Sequence, residues 1–330
     1  MPARPSRPSR PSRPSRSGRP APPRASRRAA LAAVPLLACA LSACGGPPAA
    51  APARARAPVT EFTSIPWGFS TSSYWIEGPT GLVAVDTQFL PSEAERVIAT
   101  AERQTGKKLV LAVVLHANPD KFNGTATFQR HGVKVVTSKQ VRDLLPSVHE
   151  KRLRAFYDRY APDYPKELPA PESFGDATTE LTAGGLTLKL HVMGAGCSEA
   201  HVALEWRDPA RPARHLFVGD LVGNGVHSWL EIGKTDAWLA RLAELDRLEP
   251  TVVHPGRGKT GGPELLTAER VYLQKVIAVV AEERPTLPIP EAGLERAKAK
   301  IVAAYPHHGF PVFLDIGLPA EWERQARLLH

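Results

Sequence analysis

Residues 109–124 read Leu109-Val-Leu-Ala-Val-Val-Leu115, then His116-Ala-Asn118-Pro-Asp120-Lys121-Phe-Asn-Gly124. An unbroken apolar run predicts a strand buried on both faces, because a half-exposed strand would alternate. The run stops at His116 and opens into a dense polar cluster. Three more clusters of this kind follow apolar strands further along. Gly196-Cys197-Ser-Glu-Ala-His201 comes after the strand predicted over 181–190. Gly219-Asp220 follows 216–218, and His254-Pro-Gly-Arg257-Gly258 grows out of 251–253.

The order of these clusters, with Asp86 closing an early strand pair, resembles the metallo-β-lactamase superfamily over about residues 60–262. The segment Gly219-Asp-Leu-Val-Gly-Asn224-Gly-Val-His227-Ser-Trp-Leu230 is similar to that of periplasmic zinc-hydrolase-like members. The resemblance implies an α/β fold, an αββα sandwich with helices on both outer faces. It also implies a His-x-His-x-Asp-His loop, a Gly-His-Thr turn, an Asp or Cys after a strand, and a Pro-Gly-His-Gly turn. Together these hold one or two Zn²⁺, which lower the pKa of bound water to about 7 and polarise a carbonyl.

The departures from that pattern decide the chemistry. His116 and Asp120 are kept, but Asn118 and Lys121 replace the other two histidines of the first loop. Cys197 stands where the second turn has His, with His201 four residues on. Asp220 matches the bridging Asp, Arg257 takes the last His position, and His254 lies three residues early. Thiolate is a good zinc ligand and an amide oxygen a poor one. A guanidinium cannot ligate a cation. The second metal is therefore expected to be absent, with Lys121 and Arg257 paired to Asp120 and Asp220, since stranding those carboxylates would be costly. The first site is expected to hold one Zn²⁺ at most, on His116, Cys197 and Asp220, with Asp120 as a further candidate ligand. The alternative is an empty pocket in which His116 hydrogen-bonds Asp120 or Asp220.

The candidate pocket residues are Asn118, Arg257, His201, His227, Asn224 and His254. His201 is read as a hydrogen-bonded neighbour of the ligands rather than a ligand. His227 is read equally as a rim residue or a structural one. Cys197 stays open among a buried thiol, a metal ligand and a nucleophile.

Two functional classes fit this set. One is a metal-dependent hydrolase of an ester, thioester or amide-type small molecule. There Asp120 or Asp220 orients the water, and Lys121 or Arg257 meets a substrate carboxylate or an oxyanion. The other is a non-catalytic protein that binds an anionic ligand or partner through Lys121 and Arg257. A thiol enzyme built on Cys197 is a third reading.

Around these clusters, helical spacing predicts helices over 91–104, 139–156, 235–248, 263–283 and 291–305. Strands are expected over 73–77, 81–86 and 202–206 as well. Residues 59–262 read as the metallo-β-lactamase-like domain and 263–330 as a helical extension packed on it.

The chain opens with Arg-Pro-Ser repeated over residues 2–16. Proline blocks helix and like charges repel, so disorder is expected there. Arg27-Arg28 precede an apolar run over 29–43, too short to span a bilayer but right for a signal segment. Leu41-Ser42-Ala43-Cys44 resembles the lipobox of bacterial lipoproteins. That implies removal of 1–43, a lipid on Cys44, and anchorage in the cell envelope. Ser26-Arg27-Arg28 hints at twin-arginine export, and 44–58 reads as an Ala/Pro-rich tether.

This leader also explains the composition. The 330 residues carry 42 basic and 33 acidic side chains, a formal charge of +9. Eleven arginines and no acid precede Glu61, which leaves 31 basic against 33 acidic residues in the remainder. The basic balance belongs to the leader, so no nucleic-acid partner is expected. Of the three cysteines, only Cys197 lies in the folded part, and one thiol cannot form an internal disulfide.

Overall fold

The computed structural model describes residues 58–328. The signal segment, the Cys44 lipid site and nearly all of the tether lie outside the described residues.

Strand β1 (Val59–Thr63) pairs antiparallel with β2 (Ser72–Glu77), and β2 with β3 (Leu82–Val85). Helix α1 (Pro91–Thr105) begins on a proline, whose fixed φ suits a first turn. It ends at Gly106 in the left-handed conformation, φ 69°. Its buried residues Ala94, Val97, Ile98 and Ala101 recur at helical spacing and form one apolar stripe. Strand β4 (Leu109–Val113) then runs parallel to β3.

Two short helices follow at the strand's end, α2 (Pro119–Phe122) and α3 (Thr125–Arg130). Strand β5 (Lys134–Thr137) leads into α4 (Lys139–Tyr160), whose first turn is capped by Ser138 Oγ accepting from the Val141 N–H at 3.2 Å. The two-residue β6 (Glu172–Ser173) completes a six-stranded sheet in the order β1-β2-β3-β4-β5-β6.

The second sheet holds β7 (Thr179–Ala183), β8 (Leu186–Met193), β9 (His201–Arg207), β10 (Arg214–Gly223) and β11 (Val252–Arg257), in the order β11-β10-β9-β8-β7. The single strand expected over 181–190 is in fact a hairpin. Gly184 and Gly185, at φ 61° and 78°, form its turn, a conformation that two residues without Cβ adopt freely. Helix α5 (Thr235–Asp246) makes the crossover from β10 to the parallel β11.

Helices α6 (Glu264–Glu282), α7 (Glu291–Ala304) and α8 (Val312–Leu328) pack with α5 against the second sheet, sharing a core that includes Leu216, Trp238, Leu273, Ile301 and Trp322. A second core runs from α1 through the first sheet to the second and includes Ile98, Val83, Val113, Leu188 and Leu204, and a smaller aromatic cluster gathers Phe89, Tyr160 and Tyr164. The layers are helix, sheet, sheet, helix. Helix α8 had no helix of its own in the sequence reading, because Gly317 and Pro319 interrupt its pattern.

Isolated backbone bridges tie the two sheets together at one end. His116 pairs with His201, Thr71 with Arg257, and the Val202 N–H donates to the Leu115 carbonyl at 2.6 Å. The polar clusters of the sequence sit at that seam.

Candidate functional site

Arg257 ends β11 with Nη1 2.5 Å from Asp220 Oδ2 and Nη2 2.7 Å from Asp120 Oδ2. Its Nε donates to the Phe69 carbonyl at 3.1 Å. Lys121 Nζ lies 2.9 Å from Asp220 Oδ1, 3.0 Å from Asp120 Oδ2 and 4.0 Å from Asp86 Oδ2, and donates to the Gly256 carbonyl at 3.3 Å. The cluster needs Gly256, since a Cβ there would fall 1.9 Å from Asp220 Oδ1.

The charges set one another. Burial pushes both carboxyls up, but Arg257 and Lys121 outweigh it and hold Asp120 below, and Asp220 well below, the ordinary carboxylate range. Burial pulls Lys121 down, yet Asp120 and Asp220 keep it above its usual value. At Asp86 burial wins. Its carboxyl is pushed up to about 6 against the pull of Lys121, of His116 and of the Leu115 N–H that Oδ1 accepts at 2.9 Å.

Beside this cluster the donor atoms of His116, Cys197 and His201 lie within 4.8 Å of one another, all three residues buried. His201 Nδ1 donates to the Gly194 carbonyl at 3.0 Å, because a carbonyl can only accept. Its Nε2 therefore carries the lone pair and faces the Cys197 sulfur at 3.2 Å. Burial pushes the thiol well up and pulls His201 down to about 3, so they form a neutral pair and not a reactive thiolate. His116 Nε2 is 3.6 Å from Asp220 Oδ2, too long for a hydrogen bond. Neither ring nitrogen of His116 has a hydrogen-bond partner among the described residues. The expected approach of His116 to Asp220 is present at this 3.6 Å separation, and it helps to lower the Asp220 carboxyl.

A narrow cavity of about 30 Å³, room for about two waters, adjoins Arg257, Asp120, Asp220 and Asn118. Its other walls are Phe69, Phe89, Phe156, Trp229, Phe313 and Arg152. Arg152 is paired with Glu231, and its Cζ stands 5.1 Å over the Trp229 ring. Phe313, delivered by α8, covers the Arg257 guanidinium at 5.3 Å. None of these aromatic walls was singled out from the sequence. They come from distant segments, and each looks locally like an ordinary core residue.

Several candidates sit elsewhere. Lys121 is fully buried and does not line the cavity. His254 stacks on Phe217 at 4.2 Å and bonds His215 and Thr260, which places it in the core and not in the pocket. Asn224 gives its amide to the Lys259 carbonyl at 2.8 Å and does not line this cavity. His227 accepts from or donates to the Tyr272 hydroxyl at 3.0 Å and borders a side recess with Asp220 and Arg257.

No family model matches the sequence, and no curated protein matches it. Solved structures do. A metallo-beta-lactamase from Pontibacter korlensis is 20% identical with a TM-score of 0.51, covering 67% of this chain and 97% of its own. The DIM-1 metallo-beta-lactamase is 20% identical with a TM-score of 0.52, covering 67% of this chain and 95% of its own. This chain has the metallo-β-lactamase fold.

Within the metallo-β-lactamase fold the donor set can be tested against the zinc that the fold implies. The second zinc does not fit, because Arg257 spans Asp120 and Asp220 and offers no lone pair. The first fits through His116, Cys197 and His201, two imidazoles and a thiol. His201 takes a place that the sequence reading gave to Asp220, whose oxygens are engaged by Arg257 and Lys121.

Proposed function

We propose that this protein is a non-hydrolytic binding module of the metallo-β-lactamase fold. It takes a small molecule with an aromatic body and a hydrogen-bond-accepting end in the pocket over Arg257. The observation that carries this reading is the Arg257 guanidinium seated between Asp120 and Asp220. Those carboxylates would have to orient an attacking water, and both are engaged by cations.

The pocket chemistry supports the ligand class. Aromatic walls favour a flat apolar body. Arg257 has five N–H donors, of which three go to Phe69, Asp120 and Asp220. Two remain for an acceptor. The paired charges of Asp120 and Asp220 with Lys121 and Arg257 cancel, which favours a neutral acceptor over the anion suggested by the sequence. A larger ligand enters by displacing the Phe313 ring.

The single-ion hydrolase reading has one observation in its favour, the three donors at His116, Cys197 and His201. All three are buried, and none lines the cavity. We further propose that the protein is exported and lipid-anchored through Cys44 in the cell envelope. Palmitate labelling that disappears in Cys44→Ala supports this, and labelling that persists rejects it.

The functional test combines turnover and binding. Nitrocefin and p-nitrophenyl acetate are expected to hydrolyse at the buffer rate, with or without added zinc. Benzamide is expected to quench Trp229 fluorescence saturably, more tightly than benzoate, and not in Trp229→Phe. Zinc-dependent turnover would overturn the reading.

A further inference from the structure

We infer that Arg152 is a second recognition point in the pocket and takes a carboxylate carried by the ligand's aromatic body. The ligand class is then an aromatic ring with a neutral acceptor, a carboxamide, for Arg257 and a carboxylate for Arg152. This rests on the binding reading above and names the second group that the ligand must carry.

The pocket wall holds two guanidiniums, each with its own ring. Arg257 Cζ stands 5.3 Å over Phe313, and Arg152 Cζ stands 5.1 Å over Trp229. The two rings meet edge-on with centroids 5.0 Å apart. The contact order along this wall is thus Arg257, Phe313, Trp229, Arg152, and all four residues line the same cavity. A flat ring lying against the wall meets a cation at each end of that order.

Arg152 is held in place from behind. It comes from α4 and is buried, 8% exposed. Its Nη2 donates to Glu231 Oε2, and the same oxygen accepts from Trp229 Nε1 at 3.0 Å. Glu231 therefore ties the guanidinium and the indole into one preorganised unit, which spares a ligand the cost of ordering them. Nη2 is the Arg152 nitrogen with a hydrogen bond among the described residues, so the donors on Nε and Nη1 are left for an acceptor.

Charge distinguishes the two ends. Arg257 and Lys121 face Asp120 and Asp220, two cations to two carboxylates. Arg152 shares the single carboxylate of Glu231 with Lys151, whose Nζ lies 2.6 Å from Oε1. Lys151 draws on the same carboxylate and leaves Arg152 with only part of its counter-charge. An anion is balanced there and not at Arg257. Benzoate alone could place its carboxylate on Arg152, but its bare ring would leave the two spare Arg257 donors stripped of water and unpaired. Benzamide stays the better probe with one polar group, and a molecule with both groups satisfies both guanidiniums.

The test is calorimetric titration of the full chain with benzamide, with 3- and 4-carbamoylbenzoate, and with the methyl ester of each acid. The better of the two acids is expected to bind about tenfold more tightly than benzamide, the scale of one charge-assisted hydrogen bond. Its methyl ester, with the same ring and amide but no charge, should fall back to the level of benzamide. Arg152→Gln should bring the acid to that level too while benzamide still binds. Where that variant loses native circular dichroism, the comparison of acid with ester on the unaltered chain decides. Acids no tighter than their esters and benzamide, or a gain that persists in folded Arg152→Gln, overturn the Arg152 site and leave the binding reading standing. No binding of benzamide or of either acid overturns the binding reading itself.

Discussion

Arg257 Nη1 stands 2.5 Å from Asp220 Oδ2, joining the end of β11 to the adjacent parallel strand β10. A guanidinium thus occupies the place between two carboxylates where this fold's sequence pattern has a metal-binding histidine. A buried charge pair of this kind adds little net stability over an apolar pair, but breaking one half of it is expensive.

Replacing Arg257 by Met strands Asp120 and Asp220 with only Lys121 between them. Arg257→Met is expected to lose about 3–5 kcal/mol in urea unfolding. Adding Asp220→Asn should recover part of the loss by removing one stranded charge. A loss below about 1 kcal/mol, the scale of a surface pair, would mean that the cluster is not sealed as described.

Gly256→Ala puts a Cβ into the Asp220 carboxylate, 1.9 Å from Oδ1. Backbone or carboxylate must shift, and both are tied into the cluster. The expected cost is about 2–3 kcal/mol, read from the denaturation midpoint. Unchanged stability would contradict the close approach of β11 to β10.

Phe313 closes the cavity from α8 and touches Trp229 edge-on, ring centroids 5.0 Å apart. Phe313→Ala is expected to cost about 3–5 kcal/mol and to expose Trp229. Acrylamide quenching of the Trp229 component should rise relative to wild type. Equal quenching would show that α8 does not guard the pocket.

The pH profile carries a signature from Glu269, which accepts from Gly223 N–H at 3.0 Å and Ser228 Oγ at 2.6 Å. Burial pushes its carboxyl up to about 7 from an ordinary 4.5. Above 4.5 the unfolded chain releases this proton while the folded one keeps it. Its contribution to stability is therefore full below 4.5 and is lost as pH rises towards 7. Glu269→Gln should remove that decline and gain stability at pH 8. His254 works in the opposite direction. Burial lowers it to about 3, so its contribution falls as pH drops below 6.5. A parallel profile for wild type and Glu269→Gln between pH 4.5 and 8 would refute the assignment.

Much of the fold was legible in residue order. The run through residues 109–115 and the polar clusters after it lead to β4 and the strand-end seam, because a buried strand must end where its polar residues begin. The glycine pair at 184 and 185 was misread, since apolar residues on both sides hide a two-residue turn inside what looks like one strand. Helix α8 was missed because Gly317 and Pro319 mask a pattern that tertiary packing sustains.

Within the site, charge was readable and geometry was not. Residue identity alone says that two cations have joined two carboxylates, since formal charge does not depend on conformation. Partnership does. His254 and His201 look equally available in the sequence, yet one is stacked on Phe217 in the core and the other faces Cys197. Phe313 lies 56 residues beyond Arg257 and carries no local sign of covering it. The sequence determined the strand ends, the charge balance and the missing histidines, because these follow from side-chain chemistry and local pattern. The tertiary structure decided which donors converge, which cation is sealed and what roofs the pocket, because directions in space are set by sheet register and packing between segments that the chain keeps far apart.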